Sequence, residues 1–149
     1  MPLFEAEFEK RMLAKLGIAD LSHAPFITKT LQQMANARAD FTRFFTALTR
    51  GEDMQSFFIS NLAHDEWLAE WNTLRAPDAT AFMQKYNPVY VARNHRVEAA
   101  LVAAEAENYL PLHQLLLAVQ DPFTARAELA QFENAPDAQE EVLQTFCGT

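Results

Sequence analysis

The chain has 149 residues, enough for an ordinary domain with its own core, with half of them hydrophobic, 21% charged and a net charge of −8. That acidity speaks against a nucleic-acid or anionic-lipid partner. Twelve Phe stand against three Gly and one Cys, which points to a packed helical body, excludes an internal disulfide framework and fits a reducing, cytoplasmic compartment.

The opening MPLFEAEFEK is acidic and amphipathic, unlike a secretory signal. Phe4, Phe8, Met12 and Leu16 then descend one side of a first helix, with Gly17 as its stop. Ile27, Leu31 and Met34 mark a second helix entered at Pro25. Phe41, Phe44, Phe45 and Leu48 follow i, i+3, i+4, i+7; Asp40 is placed to cap this helix and Gly51 to end it. Met54, Phe57 and Phe58 suggest a short helix, and Trp67, Leu68, Trp71 and Leu74 a longer one that stops by Pro77. Asp78 is positioned to cap a short piece carrying Phe82, Met83 and Tyr86.

Asn87-Pro88 reads as N-cap and first helical residue of the next helix. That helix has Tyr90, Val97, Leu101 and Ala104 on one face and Ala92, Ala99, Ala103 and Ala106 on the other. The alanine face predicts a central helix that a neighbouring backbone approaches closely. Leu112, Leu115, Leu116 and Val119 make one more stripe, broken by Asp121-Pro122, and turns at Asn134 and Pro136 punctuate the remainder. No stretch alternates with period 2, and no apolar run approaches the roughly 20 residues of a membrane span. The prediction is an all-α, compact multi-helix domain over residues 1–149, with roughly six to eight helices at ordinary helix length and a flexible tail over about 134–149.

Chemistry is sparse. Three glycines in all leave no room for a phosphate-binding G-x-x-x-x-G-K or G-x-G-x-x-G loop. His64-Asp65-Glu66 and His95 with Glu98 each lack the further ligands a metal site needs, and read as solvated helix polarity. Trp67 and Trp71, one turn apart beside leucines, read as core. Glu5/Glu9 and Glu66/Glu70 read as solvated faces. Arg93 and Asn94 fall on an otherwise apolar face; Arg93 either ties carbonyls together at a helix end or reaches a partner. Cys147, the lone thiol, has no neighbouring base to activate it.

Four segments, "KLGI" at 15–18, "ADFTRFF" at 39–45, "NPVYVARNH" at 87–95 and "TFCGT" at 145–149, resemble in order and spacing the C-terminal part of the selenoprotein O family of kinase-like protein adenylyltransferases. Residues 51–86 match more loosely. The resemblance implies a helical C-terminal domain that buttresses a kinase-like core and belongs to an enzyme transferring AMP from ATP to Ser, Thr or Tyr hydroxyls of proteins. It implies ATP and Mg²⁺ for the full-length protein. The family's catalytic, nucleotide-binding and metal-binding residues lie N-terminal to the matched segment, so none is carried onto this chain, which alone is expected to be inactive. Cys147 stands at a position linked in the family to redox control through a bridge to the core. Asn87, Tyr90, Arg93 and Asn94 are then expected to dock the domain onto that N-terminal core, its partner, or to be hidden in a homodimer. The alternative is an independent helical module that binds a protein or small ligand and has no enzymatic role.

Overall fold

The computed structural model describes residues 2–137 and 140. Among these residues the regular structure is helical throughout: seven α-helices and three 3₁₀ turns, as the hydrophobic spacing predicts. They fall into two compact units, Met1–Pro88 and Val89–Thr149.

The first unit holds α1 (Pro2–Lys15), α2 (Ala24–Asn36), α3 (Phe41–Arg50), α4 (Asn61–Leu74) and α5 (Ala79–Met83). Gly17 follows α1 with φ +70°, and Pro25 stands in the first turn of α2. The Asp40 side chain accepts from the Arg43 N–H at 2.8 Å, capping α3, and Gly51 closes that helix in the left-handed region. The Ser60 hydroxyl caps α4 by accepting from Ala63 N–H. Asp78 occupies the N-cap position of α5 without a side-chain cap bond. The core is aromatic: Phe26, Phe44, Phe45, Phe58, Trp67 and Trp71 are all buried. The first stripe is only half used. Met12 and Leu16 are buried, while Phe4 and Phe8 stack on each other at 6.5 Å and stay exposed.

The second unit holds α6 (Asn94–Glu105) and α7 (Leu110–Gln120), which pack on each other, and a 3₁₀ turn, Ala127–Phe132. Its core is small: Val89, Tyr90, Ala100, Leu115, Ala118, Leu129 and Phe132.

The expected start of the sixth helix is corrected. Asn87-Pro88 does not open it; α6 begins at Asn94, with Arg93 as its N-cap. The reason is hydrogen bonding. The Asn87 side chain, which a cap needs as the acceptor for a first-turn N–H, is taken by Lys15 and Thr49 instead. The Val89 and Tyr90 N–H groups, which the first turn of a helix leaves unpaired, donate to the Pro122 carbonyl at 2.7 and 3.2 Å. With the start moved, Tyr90 and Ala92 leave the helix. The alanine face is not a central packing surface either, since Ala99 and Ala106 are exposed and Ala103 only half-buried. The helix packs through Ala100, which is buried, and Val97.

Candidate functional site

The 87–95 segment carries the residues expected to dock, and they have different surroundings. In the first unit Asn87 is buried. Its amide nitrogen donates to the Lys15 carbonyl and to Thr49 Oγ1, both at 2.8 Å, and its oxygen accepts from Lys15 Nζ at 3.3 Å. Lys15 Nζ also donates to the Tyr86 carbonyl at 2.9 Å and lies over the Phe41 and Phe45 rings, 5.6 and 5.2 Å from their centroids. Burial lowers the Lys15 pKa below its ordinary value. One amide thus joins the end of α1, the end of α3 and the turn after α5. Lys15 opens the KLGI segment beside Leu16, at the end of the first apolar stripe, and nothing local in the sequence shows that its amine is drawn inward. Asn87→Leu is expected to cost about 2–3 kcal/mol, because it removes these bonds and strands buried polar groups; urea denaturation followed by tryptophan fluorescence measures it.

In the second unit Tyr90 is buried, and its hydroxyl is used twice by one residue: it accepts from Arg126 N–H at 2.7 Å and donates to the Arg126 carbonyl at 3.1 Å. Arg126 Nη2 in turn donates to the Leu117 carbonyl at the end of α7. Half-buried Arg93 directs Nη2 toward the Glu133 carbonyl, 3.5 Å away, just past the Ala127–Phe132 turn. Asn94, the first residue of α6, is exposed.

His95 beside it is buried, and its Nε2 makes no hydrogen bond. Desolvation lowers its pKa below 6.5, helped by the positive charges of Arg96 and Arg93 and opposed by Glu140 and Asp137. The unfolded chain therefore binds a proton before the folded one does. Stability from this residue is fully present above about pH 6.5 and is lost as pH falls through the depressed folded-state value. Denaturation between pH 5 and 7.5 should show a loss on acidification that His95→Gln reduces.

The remaining candidates separate clearly. Trp67 and Trp71 are core, stacked at 5.9 Å, their indole N–H groups donating to Thr30 Oγ1 and the Leu16 carbonyl. His64 is buried at the start of α4, its Nδ1 2.9 Å from Asp65 Oδ1 and its ring edge-on to Phe58. Glu70 pairs with Lys29. Among the described residues no three His, Cys, Asp or Glu side chains converge where a metal ion could be held. A groove of about 430 Å³ opens in the first unit, lined by Lys10, Arg11, Ile18, Leu21, Phe82 and Tyr86 among others. Cys147 and most of the tail expected over 134–149 lie outside the described residues.

The sequence model of the family described as protein adenylyltransferase SelO matches residues 1–120. This chain belongs to the SelO family. Among curated relatives, the protein nucleotidyltransferase YdiU of Cereibacter sphaeroides (strain KD131) is 41% identical over 145 residues, covering 93% of this chain and 30% of the relative. The proteins of the same description from Mycobacterium sp. (strain KMS) and Rhodopseudomonas palustris (strain TIE-1) are 39% and 33% identical, each covering 98% of this chain and 32% and 33% of the relative. The chain thus spans about a third of the length of the curated SelO relatives it matches. The Asn87–His95 segment lies inside the matched SelO range, and Cys147 lies beyond it. Among the described residues no helix is long and apolar enough to cross a membrane.

Proposed function

We propose that this chain is the helical C-terminal domain of a SelO-type protein adenylyltransferase, a cytoplasmic enzyme that transfers AMP from ATP, with Mg²⁺, to Ser, Thr or Tyr hydroxyls of other proteins. The domain buttresses the kinase-like core and carries Cys147 as a redox-responsive thiol. The observation that carries this reading is the length relation: nearly the whole chain aligns, yet it accounts for 30% of a relative named as a nucleotidyltransferase. The chemistry of the residues fits. Three glycines leave no room for a phosphate-binding loop in this chain, and the proposal assigns nucleotide and metal to the core. Asn87 and Tyr90 are buried, each within its own unit, so the docking role falls to Arg93 and Asn94 at the start of α6. The alternative, an independent module for a protein or small ligand, has one observation in its favour, the groove of about 430 Å³ between cationic and aromatic side chains.

The test is a chimera of the Cereibacter sphaeroides relative in which this chain replaces the matching third. It is assayed for AMP transfer from labelled ATP to protein, reduced and oxidised, with and without Cys147→Ala. The expected result is transfer by the chimera, loss of transfer when the third is deleted, and a redox dependence that disappears with Cys147→Ala. A truncated relative as active as the chimera, with activity indifferent to oxidation, would sink both roles.

A further inference from the structure

α7 carries no charged side chain and is rich in leucine. In its sequence, LPLHQLLLAVQ, the polar residues are His113, Gln114 and Gln120, and a helix normally buries its apolar residues against a neighbour. Here only Leu115 and Ala118 of α7 are buried. Leu110, Leu116 and Leu117 are 61, 44 and 50% exposed. α6, packed beside it, exposes Leu101 and Val102. Exposed Glu98 and Glu105 frame that pair, the four residues following i, i+3, i+4, i+7 along one helix face. Single exposed leucines are ordinary on a protein surface. Several on two packed helices, with acids on the rim, have the character of an interface.

Two observations choose the occupant. The chain matches about a third of its relatives' length, so in those proteins these helices are tethered to the other two-thirds or so of the polypeptide, at high effective concentration. Residues 89–149 also carry nine Asp and Glu against three Arg, so a second copy would bring like charge to the same rim. We infer that the exposed α6–α7 face is a second surface, continuing from Asn94 at the start of α6, that docks onto the catalytic remainder of the SelO-type protein. Its counterpart there is an apolar patch with a basic rim that meets Glu98 and Glu105. This inference rests on the proposed function and names the surface that serves it.

Hydrogen exchange compares the free chain with the Cereibacter chimera. Amides of residues 98–118 are expected to exchange about tenfold more slowly, or slower still, in the chimera. Val102→Lys with Leu117→Lys should return them to the free-chain rate. In the free chain the same pair should leave exchange and melting unchanged, because both side chains are exposed. If the chimera does not fold, the comparison is made between the intact relative and its matching third. Equal exchange in the free and tethered forms would overturn the inference. So would a free-chain dimer that the double substitution splits, which makes a second copy the occupant, or faster α6–α7 exchange after deletion of residues 141–149, which makes the chain's own tail the occupant. The same chimera is assayed for AMP transfer. Transfer without protection removes the docking surface alone, and protection without transfer removes the proposed activity and keeps the surface.

Discussion

Trp67→Ala is expected to destabilise the 1–88 unit by about 3–5 kcal/mol, the range for deleting a large buried aromatic side chain. Trp67 is completely buried. Its ring stacks on Phe26 at 5.6 Å and Trp71 at 5.9 Å, takes Phe44 at 78° and packs tilted on Phe58 at 5.4 Å. Four aromatic partners around one ring leave no neighbour free to collapse into the space, so most of the cavity should persist. The substitution also removes the donor that Thr30 Oγ1 accepts from, a buried hydroxyl that itself donates to the Phe26 carbonyl. Trp67→Phe keeps most of the packing and loses that bond, so it should fall between wild type and Trp67→Ala. Both tryptophans of the chain lie in this unit, and Trp71 fluorescence during urea denaturation reports its unfolding. A change below 1 kcal/mol would mean that the cluster is not the centre of the core.

Gly17→Ala should cost about 2–4 kcal/mol, whereas Gly51→Ala should cost about 1–2 kcal/mol. Both glycines adopt the left-handed conformation, with φ +70° and +67°, so both substitutions carry the same backbone strain. Their surroundings differ. A Cβ on Gly17 would stand 2.8 Å from Ala79 Cβ and 3.3 Å from Ala79 Cα, with Met83 Cγ at 3.2 Å; nothing lies within 4 Å of one on Gly51. The closest contacts are to the start of α5, whose backbone must move to make room. The Gly17 carbonyl also accepts from Ala76 N–H at 2.9 Å, fastening the same corner. Denaturation midpoints of the two variants, measured side by side, separate conformational strain from overpacking. Equal losses would show that α5 yields without cost.

The all-α class, the α3 boundaries with their Asp40 cap and Gly51 stop, and the burial of Trp67 and Trp71 were legible in the sequence. Each depends on spacing along one helix or on chemistry within a few residues, and local rules carry that information. Family membership was legible too, in short segments such as "NPVYVARNH" and "ADFTRFF". What only the tertiary structure decided depends on residues far apart in the chain. Asn87 looked like a helix cap because Pro follows it, but the bonds that claim its side chain come from Lys15 and Thr49, 72 and 38 positions away. With that side chain unable to cap, α6 starts at Asn94, and the Val89 and Tyr90 N–H groups find the carbonyl of Pro122, far along the chain. Periodicity shows that a helix has an apolar face, and only packing shows whether that face is covered: Met12 and Leu16 are buried where Phe4 on the same stripe is not, and α7, rich in leucine, is buried at Leu115 and open at Leu110. Burial is a property of the partner surface as much as of the residue, and the partner's position is not written in the spacing.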